Sequence, residues 1–145
     1  MQSLAVLEKR GDVTQLLREM LPAQHYTLVR MQPDAPLRCS LLVVAPDFDG
    51  IAAPSRCRIL LTPSGKAAQL RAVHAEWVVS FGTAARESIS FSSLHKDGLT
   101  LCVRRGLPTL SGRRLEPQDV PMPCRSAEAE TMLAACAAVL LARGK

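Results

Sequence analysis

The feature of this sequence that most constrains its fold is the C-terminal segment Ser126–Ala142, which is almost wholly apolar. Ser126 is a favourable N-cap, and Glu128 and Glu130 follow in the first turn, where the helix dipole favours acidic side chains. Residues 132–142 contain no charged or strongly polar side chain. A helix that is apolar all round is usually buried, and this one is too short to cross a bilayer. The segment therefore predicts a helix enclosed by a domain core.

Length and composition indicate one domain that can bury such a core. The chain has 145 residues, of which 48% are hydrophobic and 21% charged, which is typical of a globular domain and not of a disordered chain. Only 3% are aromatic, so the core must be built mainly from aliphatic side chains. We expect a single soluble α+β domain over residues 1–145.

The cysteines indicate a reducing compartment. Their number is odd and no pair forms C-x-x-C, which argues against a disulfide framework and a zinc ribbon. No apolar run reaches the length of a membrane span, and the mixed charges of residues 1–10 do not resemble a secretory signal. We therefore expect an intracellular protein, cytoplasmic in the first instance, with no membrane span. The five cysteines are Cys39, Cys57, Cys102, Cys124 and Cys136.

The N-terminal region, residues 1–22, is predicted to be helical. Asp12 is a plausible N-cap, with Gln15 three residues later in the capping-box position. Apolar residues then recur at helical spacing, and Pro22 ends the run. These apolar residues are Val13, Leu16, Leu17, Met20 and Leu21.

Residues 26–104 carry strand signals separated by turn signals. Asp97-Gly98 is the clearest hairpin turn, because this dipeptide favours positive φ. Pro63-Ser64-Gly65 is a second turn signal, after which Ala67–Val73 could return antiparallel. We expect a mostly antiparallel sheet of five to seven strands, PH-like or roll-like, with an N-terminal helix and a buried apolar C-terminal helix. The other predicted strands are Tyr26–Met31, Cys39–Ala45, Cys57–Thr62, Glu76–Phe81, Glu87–Ser92 and Leu99–Arg104.

Residues 105–125 are predicted to form a proline-rich arm before the C-terminal helix, residues 126–142. The arm contains four prolines and little periodicity. Loops of this length inside a compact domain are uncommon and often functional. The alternative is an extended arm that lies across the sheet.

No segment carries a recognisable catalytic or cofactor motif. The sequence lacks a phosphate-binding glycine loop, a dinucleotide fingerprint and a nucleophile elbow. Asp47-Phe48-Asp49-Gly50 resembles the start of a calcium loop, but the twelfth residue of that loop would be Arg58 instead of glutamate. We therefore expect no enzymatic activity, no cofactor and no metal ligands.

The basic residues supply a candidate anion site. The formal net charge is +5, which suits contact with nucleic acid or an acidic protein. Four arginines bracket the start of the proline-rich arm and could hold phosphates through bidentate hydrogen bonds. Stacking aromatics that read bases are lacking after Phe91, so contact with a backbone or an acidic protein is the better interpretation. These arginines are Arg104, Arg105, Arg113 and Arg114.

Residues 39–58 resemble the signature of BolA-like proteins. An apolar strand is followed by Phe48-Asp49-Gly50, five further residues and Arg56-Cys57-Arg58, where that family has F-x-G and R-H-R. The resemblance implies a monothiol glutaredoxin partner and a shared iron–sulfur cluster, with Cys57 and His74 as candidate ligands. The chain departs from the family pattern in having Cys57 at the central histidine and in continuing for about half its length beyond the motif.

Three functional hypotheses follow. The first is a non-enzymatic protein-interaction module, or a small subunit of a larger intracellular assembly, that contacts another chain in a hetero-complex or homodimer. Its contact surface would be a sheet edge and the C-terminal helix, with Met132, Leu133, Val139 and Leu140 as partner-binding residues. The second is a basic subunit of a ribonucleoprotein that binds RNA or phosphate, and the third is the BolA-like iron–sulfur partner. If the rest of the domain covers the helix, the function must lie elsewhere, first of all at the arginines.

Overall fold

The computed structural model describes residues 2–124 and 128–144, which form an eight-stranded sheet with two helices packed on one face. The helices are α1 (Asp12–Met20) and α2 (Ala129–Arg143). The strands are β1 (Gln2–Leu7), β2 (Tyr26–Arg30), β3 (Arg38–Val44), β4 (Ser55–Pro63), β5 (Val73–Phe81), β6 (Ile89–His95), β7 (Gly98–Val103) and β8 (Gln118–Pro123). Within the described ranges, neither helix is long and apolar enough to span a bilayer.

The sheet is mostly parallel, so the prediction of a mostly antiparallel, PH-like or roll-like sheet of five to seven strands is wrong. Its spatial order is β2-β1-β3-β4-β5-β6-β7-β8. Every neighbouring pair from β2 to β6 is parallel. The β6–β7 and β7–β8 pairs are antiparallel, and the hairpin predicted at Asp97-Gly98 joins β6 to β7.

The error arises from the connections between parallel strands. Parallel neighbours usually need a crossover helix, yet β3 and β4 are joined by residues 45–54, and β4 and β5 by residues 64–72, without one. Phe48 and Leu70 in these loops are buried on the sheet face opposite the helices. The turn signals near residues 46 and 63 therefore begin crossovers and not hairpins. The predicted return strand Ala67–Val73 is mostly a series of turns.

The predicted N-terminal helical region begins instead with β1, which makes β1–α1–β2 a βαβ unit. Helix α1 is present, but the predicted capping box of Asp12 and Gln15 is not formed, since Gly11 is the N-cap and has a positive φ of 100°. The carboxylate of Glu8 takes the capping role: it accepts hydrogen bonds from the backbone N–H of Val13 at 3.0 Å and of Thr14 at 3.3 Å. The side chain that caps α1 thus comes from the residue after β1 and not from the start of the helix.

Helix α2 is buried throughout, as its composition predicts. All residues from Thr131 to Ala142 are buried, enclosed by α1, the sheet and Leu107, Leu110 and Leu115 of the proline-rich arm. The predicted N-cap Ser126 lies outside the described residues.

The proline-rich arm is partly a strand. Residues 118–123 form β8, which pairs with β7, and Leu107 and Leu115 bridge the part before it. Pro121 and Pro123 are tolerated because β8 is the outermost strand, where a missing N–H leaves no ladder bond unmade.

Candidate functional site

Three of the four arginines predicted as an anion site bind other parts of the chain. Arg104 donates to the Ser90 hydroxyl, Arg105 donates to the Arg86 carbonyl at 2.8 Å, and Arg114 pairs with Glu116 at 3.4 Å. Arg113 is exposed beyond the turn at residues 109–112. The structure thus gives three of the four guanidinium groups local partners.

The helix residues predicted to bind a partner lie inside the domain. Between 0 and 3% of the surface is exposed for each of Met132, Leu133, Val139 and Leu140. They contact the sheet and α1 and offer no accessible surface in the folded chain. Because the rest of the domain covers α2, the alternative stated for a covered helix applies, and the functional surface is expected elsewhere.

A cleft at the amino ends of the parallel strands gathers a different set of basic side chains. Arg38 begins β3, Arg56 and Arg58 lie near the start of β4, and His74 lies near the start of β5. All four residues are exposed and line a cleft of about 710 Å³. Because parallel strands begin at the same end of the sheet, residues that are separated by up to 36 positions in the sequence meet there. The acidic lining residue is Glu76.

The floor of this cleft is a row in which the strand ladder is interrupted. Register pairing between β3 and β4 skips Ser40 and Arg58, and pairing between β4 and β5 skips Arg58 and Glu76. Cys57 packs on the face away from the helices, whereas Ile59, two residues later, packs on the helix face. Residues two apart normally share a face, so the alternation shifts at this row. We name Ser3, Ser40, Arg58 and Glu76 the broken row.

Side chains replace ladder bonds in the broken row. The Ser3 amide donates to the Ser40 hydroxyl at 3.3 Å, and the Ser40 amide donates to the Ser3 hydroxyl at 3.1 Å. Arg58 donates through Nη1 to the carbonyl of Leu110 at 3.3 Å, which fixes its guanidinium against the proline-rich arm. Local irregularities of this kind re-aim side chains and are common next to functional sites.

Of the two cysteines of the cleft, Cys57 is buried and Cys39 is half-buried. Cys39 and Cys57 are register partners on β3 and β4. Burial raises the pKa of Cys39 to about 12, with a further contribution from Cys57, and burial raises the pKa of Cys57 to about 11. Both side chains therefore stay protonated at neutral pH, whereas nucleophiles and metal ligands need the thiolate.

These residues do not fit the iron–sulfur site that the BolA resemblance implies. Cys57 is 7% exposed and faces Ala75 in the register, while His74 faces Arg56. Within residues 2–124 and 128–144, no group of three or more His, Cys, Asp or Glu side chains is placed to hold a metal ion. We derive no cluster chemistry from them.

Open α/β sheets usually bind ligands at the carboxyl ends of the parallel strands. In this chain the carboxylates at that end make contacts with other parts of the chain. Glu8 caps α1. Asp47 accepts the backbone N–H groups of Lys9 and Arg10, each at 3.1 Å. Glu87 is buried and accepts the Ser64 hydroxyl. These carboxylates hold loops in place, so the amino-end cleft is the better candidate site.

Strand β5 adjoins the cleft and has an open edge. It pairs with β4 at every residue except Glu76, but with β6 only at Phe81 and Ile89. Trp77 and Val78 expose 56% and 64% of their surface. Consecutive strand residues point to opposite faces, so this part of β5 is covered on neither face.

Sequence reasoning missed both features. In the sequence, Arg56 and Arg58 are only a pair on one strand, and an antiparallel sheet would not place Arg38 and His74 beside them. The exposed Trp77 lies in an apolar run that resembles a buried strand. A parallel register would have been the signal that brings these residues together.

Comparison of the chain with protein-family models, with curated proteins and with solved structures gives no significant match.

Proposed function

We propose that this chain is a non-enzymatic protein-interaction module that accepts an extended, acidic segment of a partner protein along the open edge of β5. The observation that carries the proposal is the combination of a strand that is paired on one side with two large apolar side chains exposed upon it. An unpaired strand edge is a template for a further strand.

The two outer edges of the sheet are protected in ways that the β5 edge is not. β2 is only 5 residues long, and β8 contains Pro121 and Pro123; short edge strands and edge prolines both discourage pairing with other chains. β5 has 9 residues and no proline. An edge left unprotected in this way favours a binding role.

Strand addition matches the chemistry of the β5 edge. Backbone hydrogen bonds would supply affinity for any extended segment, and side chains on alternate faces would supply specificity. Trp77 offers a large rigid contact area, which is characteristic of interaction hot spots. Val78 offers a smaller apolar contact on the other face.

The charge of the adjoining cleft supports an acidic partner. Arg38, Arg56 and Arg58 stand against one carboxylate, that of Glu76, and the whole chain has a formal net charge of +5. Complementary charge speeds encounter and selects among partners. A segment with acidic residues beside apolar ones fits both the cleft and the edge.

A degenerate library of 12-residue peptides with a fixed central glutamate tests the proposal. We expect the wild-type chain to retain peptides with apolar residues at alternate positions, and Trp77→Ala and Val78→Lys to reduce retention by about tenfold or more. Ile51→Ala is the matched control, because Ile51 is 75% exposed but lies in the loop between β3 and β4.

Three outcomes would contradict the proposal. One is equal retention by the wild-type chain and Val78→Lys. Another is binding to single-stranded RNA oligonucleotides in preference to the peptides, with the steep salt dependence of phosphate contacts, which would favour the ribonucleoprotein hypothesis. The third is a dimer in light scattering that Val78→Lys dissociates, which would assign the edge to a second copy of this chain.

A further inference from the structure

We infer that the amino-end cleft is a binding site for a phosphate dianion, carried by a phosphorylated serine or threonine of the partner segment. The pocket does not depend on the proposed function, since it should bind inorganic phosphate by itself. Only the source of the phosphate, a side chain on a segment along β5, rests on that proposal.

The cleft originates in the broken row. Three neighbouring strands depart from regular pairing at the same level of the sheet, although the register is the same on either side of that level, and Ser3 joins this row from β1 through its bonds with Ser40. A packing defect confined to one strand would not require the neighbouring strands to lose their regular pairing at the same level. Irregularities that share one row instead direct several side chains toward one place.

The broken row supplies hydrogen-bond donors for an anion. The Ser3 and Ser40 hydroxyl oxygens accept each other's backbone N–H groups and lie 3.4 Å apart. If one hydroxyl donates to the other, the second still has its proton for a ligand. Arg58 contributes the guanidinium N–H groups that its bond to Leu110 does not use.

The charged side chains that line the cleft are mostly positive. Three guanidinium groups and one carboxylate line the cleft, so the arginines and Glu76 together contribute an excess of two positive charges. Within the described residues, Arg38, Arg56 and Arg58 have no acidic partner within 4.0 Å. Guanidinium groups bind phosphate oxygens bidentately, and a dianion balances this excess where a single carboxylate would not.

The cleft lies directly beside the open edge of β5. His74, Ala75 and Glu76 belong both to the cleft and to β5, and Trp77 and Val78 follow directly. A segment added along β5 would therefore pass the cleft and could place one side chain in it. The volume of about 710 Å³ exceeds that of a free phosphate ion and leaves room for the residue that carries it.

Titration of the ¹⁵N-labelled chain with inorganic phosphate tests the pocket. We expect saturable amide shifts at Ser3, Ser40 and Arg58. Arg38→Gln and Arg56→Gln should each weaken the affinity by about tenfold, because each removes a charge-assisted donor. Both arginines are exposed at strand ends, so the variants should fold.

Glu76→Gln should change the affinity in the opposite direction. Removing the carboxylate in the lining eliminates its repulsion, so phosphate should bind several-fold more tightly. Arg105→Gln is the matched control, because it removes an exposed arginine outside the cleft and should leave the affinity unchanged. Weaker binding in Glu76→Gln would overturn the inference.

Paired peptides then identify the source of the phosphate. The library of 12-residue peptides is made with a fixed central phosphoserine and, separately, with serine. We expect the phosphoserine library to bind at least about tenfold more tightly, and Arg56→Gln to abolish this difference. Saturable phosphate binding without any peptide preference would retain the pocket and reject its peptide source. No saturable shift, or shifts centred on Arg104 and Arg113, would overturn the pocket itself.

Discussion

Gly98 is the first residue of β7 and follows the turn that joins β6 to β7. Asp97-Gly98 predicts a hairpin because glycine accepts positive φ, and the hairpin is present between β6 and β7. Gly98, however, is not among the glycines with positive φ. It is required because β8 approaches closely: a Cβ at Gly98 would lie 2.2 Å from the carbonyl oxygen of Met122. The sequence signal is local, whereas the constraint comes from a strand 20 residues later.

Gly98→Ala should therefore destabilise the chain. The added methyl group would push β8 away from β7, at a cost of about 1–3 kcal/mol, and urea unfolding measures the change. Gly50→Ala is the matched control, because its Cβ would meet only the Phe48 ring at 3.4 Å. A loss of less than about 0.5 kcal/mol in Gly98→Ala would show that β8 can move freely.

The thiols of Cys39 and Cys57 make stability depend on pH in the alkaline range. In the folded chain, burial raises their pKa values to about 12 and about 11, while unfolded thiols lose their protons near pH ~8.5. Between these values the unfolded state releases protons that the folded state retains. The free energy of unfolding should therefore fall as the pH rises from about 9 toward 11.

Urea unfolding at pH 7, 9 and 10 measures this dependence. The double variant Cys39→Ala/Cys57→Ala should lose less stability between pH 7 and pH 10 than the wild-type chain. At pH 7 the thiols are protonated in both states, so any difference there reports packing alone. Identical losses in the two proteins would show that the thiols are not desolvated.

At the scale of the elements, α2 could be predicted and the strand pairing could not. An apolar run without a polar side leaves burial as the main outcome in any fold, so α2 follows from its composition alone. Parallel and antiparallel strands, in contrast, share the same residue types. The run Cys39–Ala45 was recognised as a central strand, and such continuous apolar runs are typical of parallel sheets, but the turn signals around it were given more weight.

Leu133→Ala tests whether α2 is a core element. Leu133 is fully buried, so we expect a loss of about 2–5 kcal/mol from the cavity left behind, measured by urea unfolding. Leu94→Ala is the matched control, because Leu94 lies on β6 and is 53% exposed. Comparable losses in the two variants would contradict the placement of α2 inside the core.

The candidate site has its own limit of predictability. Basic residues were recognised as the functional surface that remains if α2 is covered. The predicted anion site consists of arginines that are close in sequence, because sequence distance is the only proximity that a single sequence reveals. These are Arg104, Arg105, Arg113 and Arg114. Parallel strands begin at the same end of the sheet, and only this arrangement brings together Arg38, Arg56 and His74.

At the scale of the whole molecule, the two ends of the parallel strands have opposite roles. Carboxylates near the carboxyl ends are satisfied by the chain itself, through Glu8, Asp47 and Glu87. The amino ends carry exposed arginines around the broken row. Between β5 and β6 the sheet also opens, and this opening lies beside the basic end. The proposed partner segment uses both properties.

Hydrogen exchange along β5 tests this proposal most directly. In the free chain, we expect the β5 amides that point away from β4 to exchange far faster than the interior amides of β4. Adding the tightest phosphoserine peptide from the library should slow these β5 amides by at least about tenfold, because new backbone hydrogen bonds protect them, and should leave the outer edges of β2 and β8 unchanged. If the β5 amides are already protected in the free chain, or if the peptide protects β2 or β8 instead, the open edge is not the binding site.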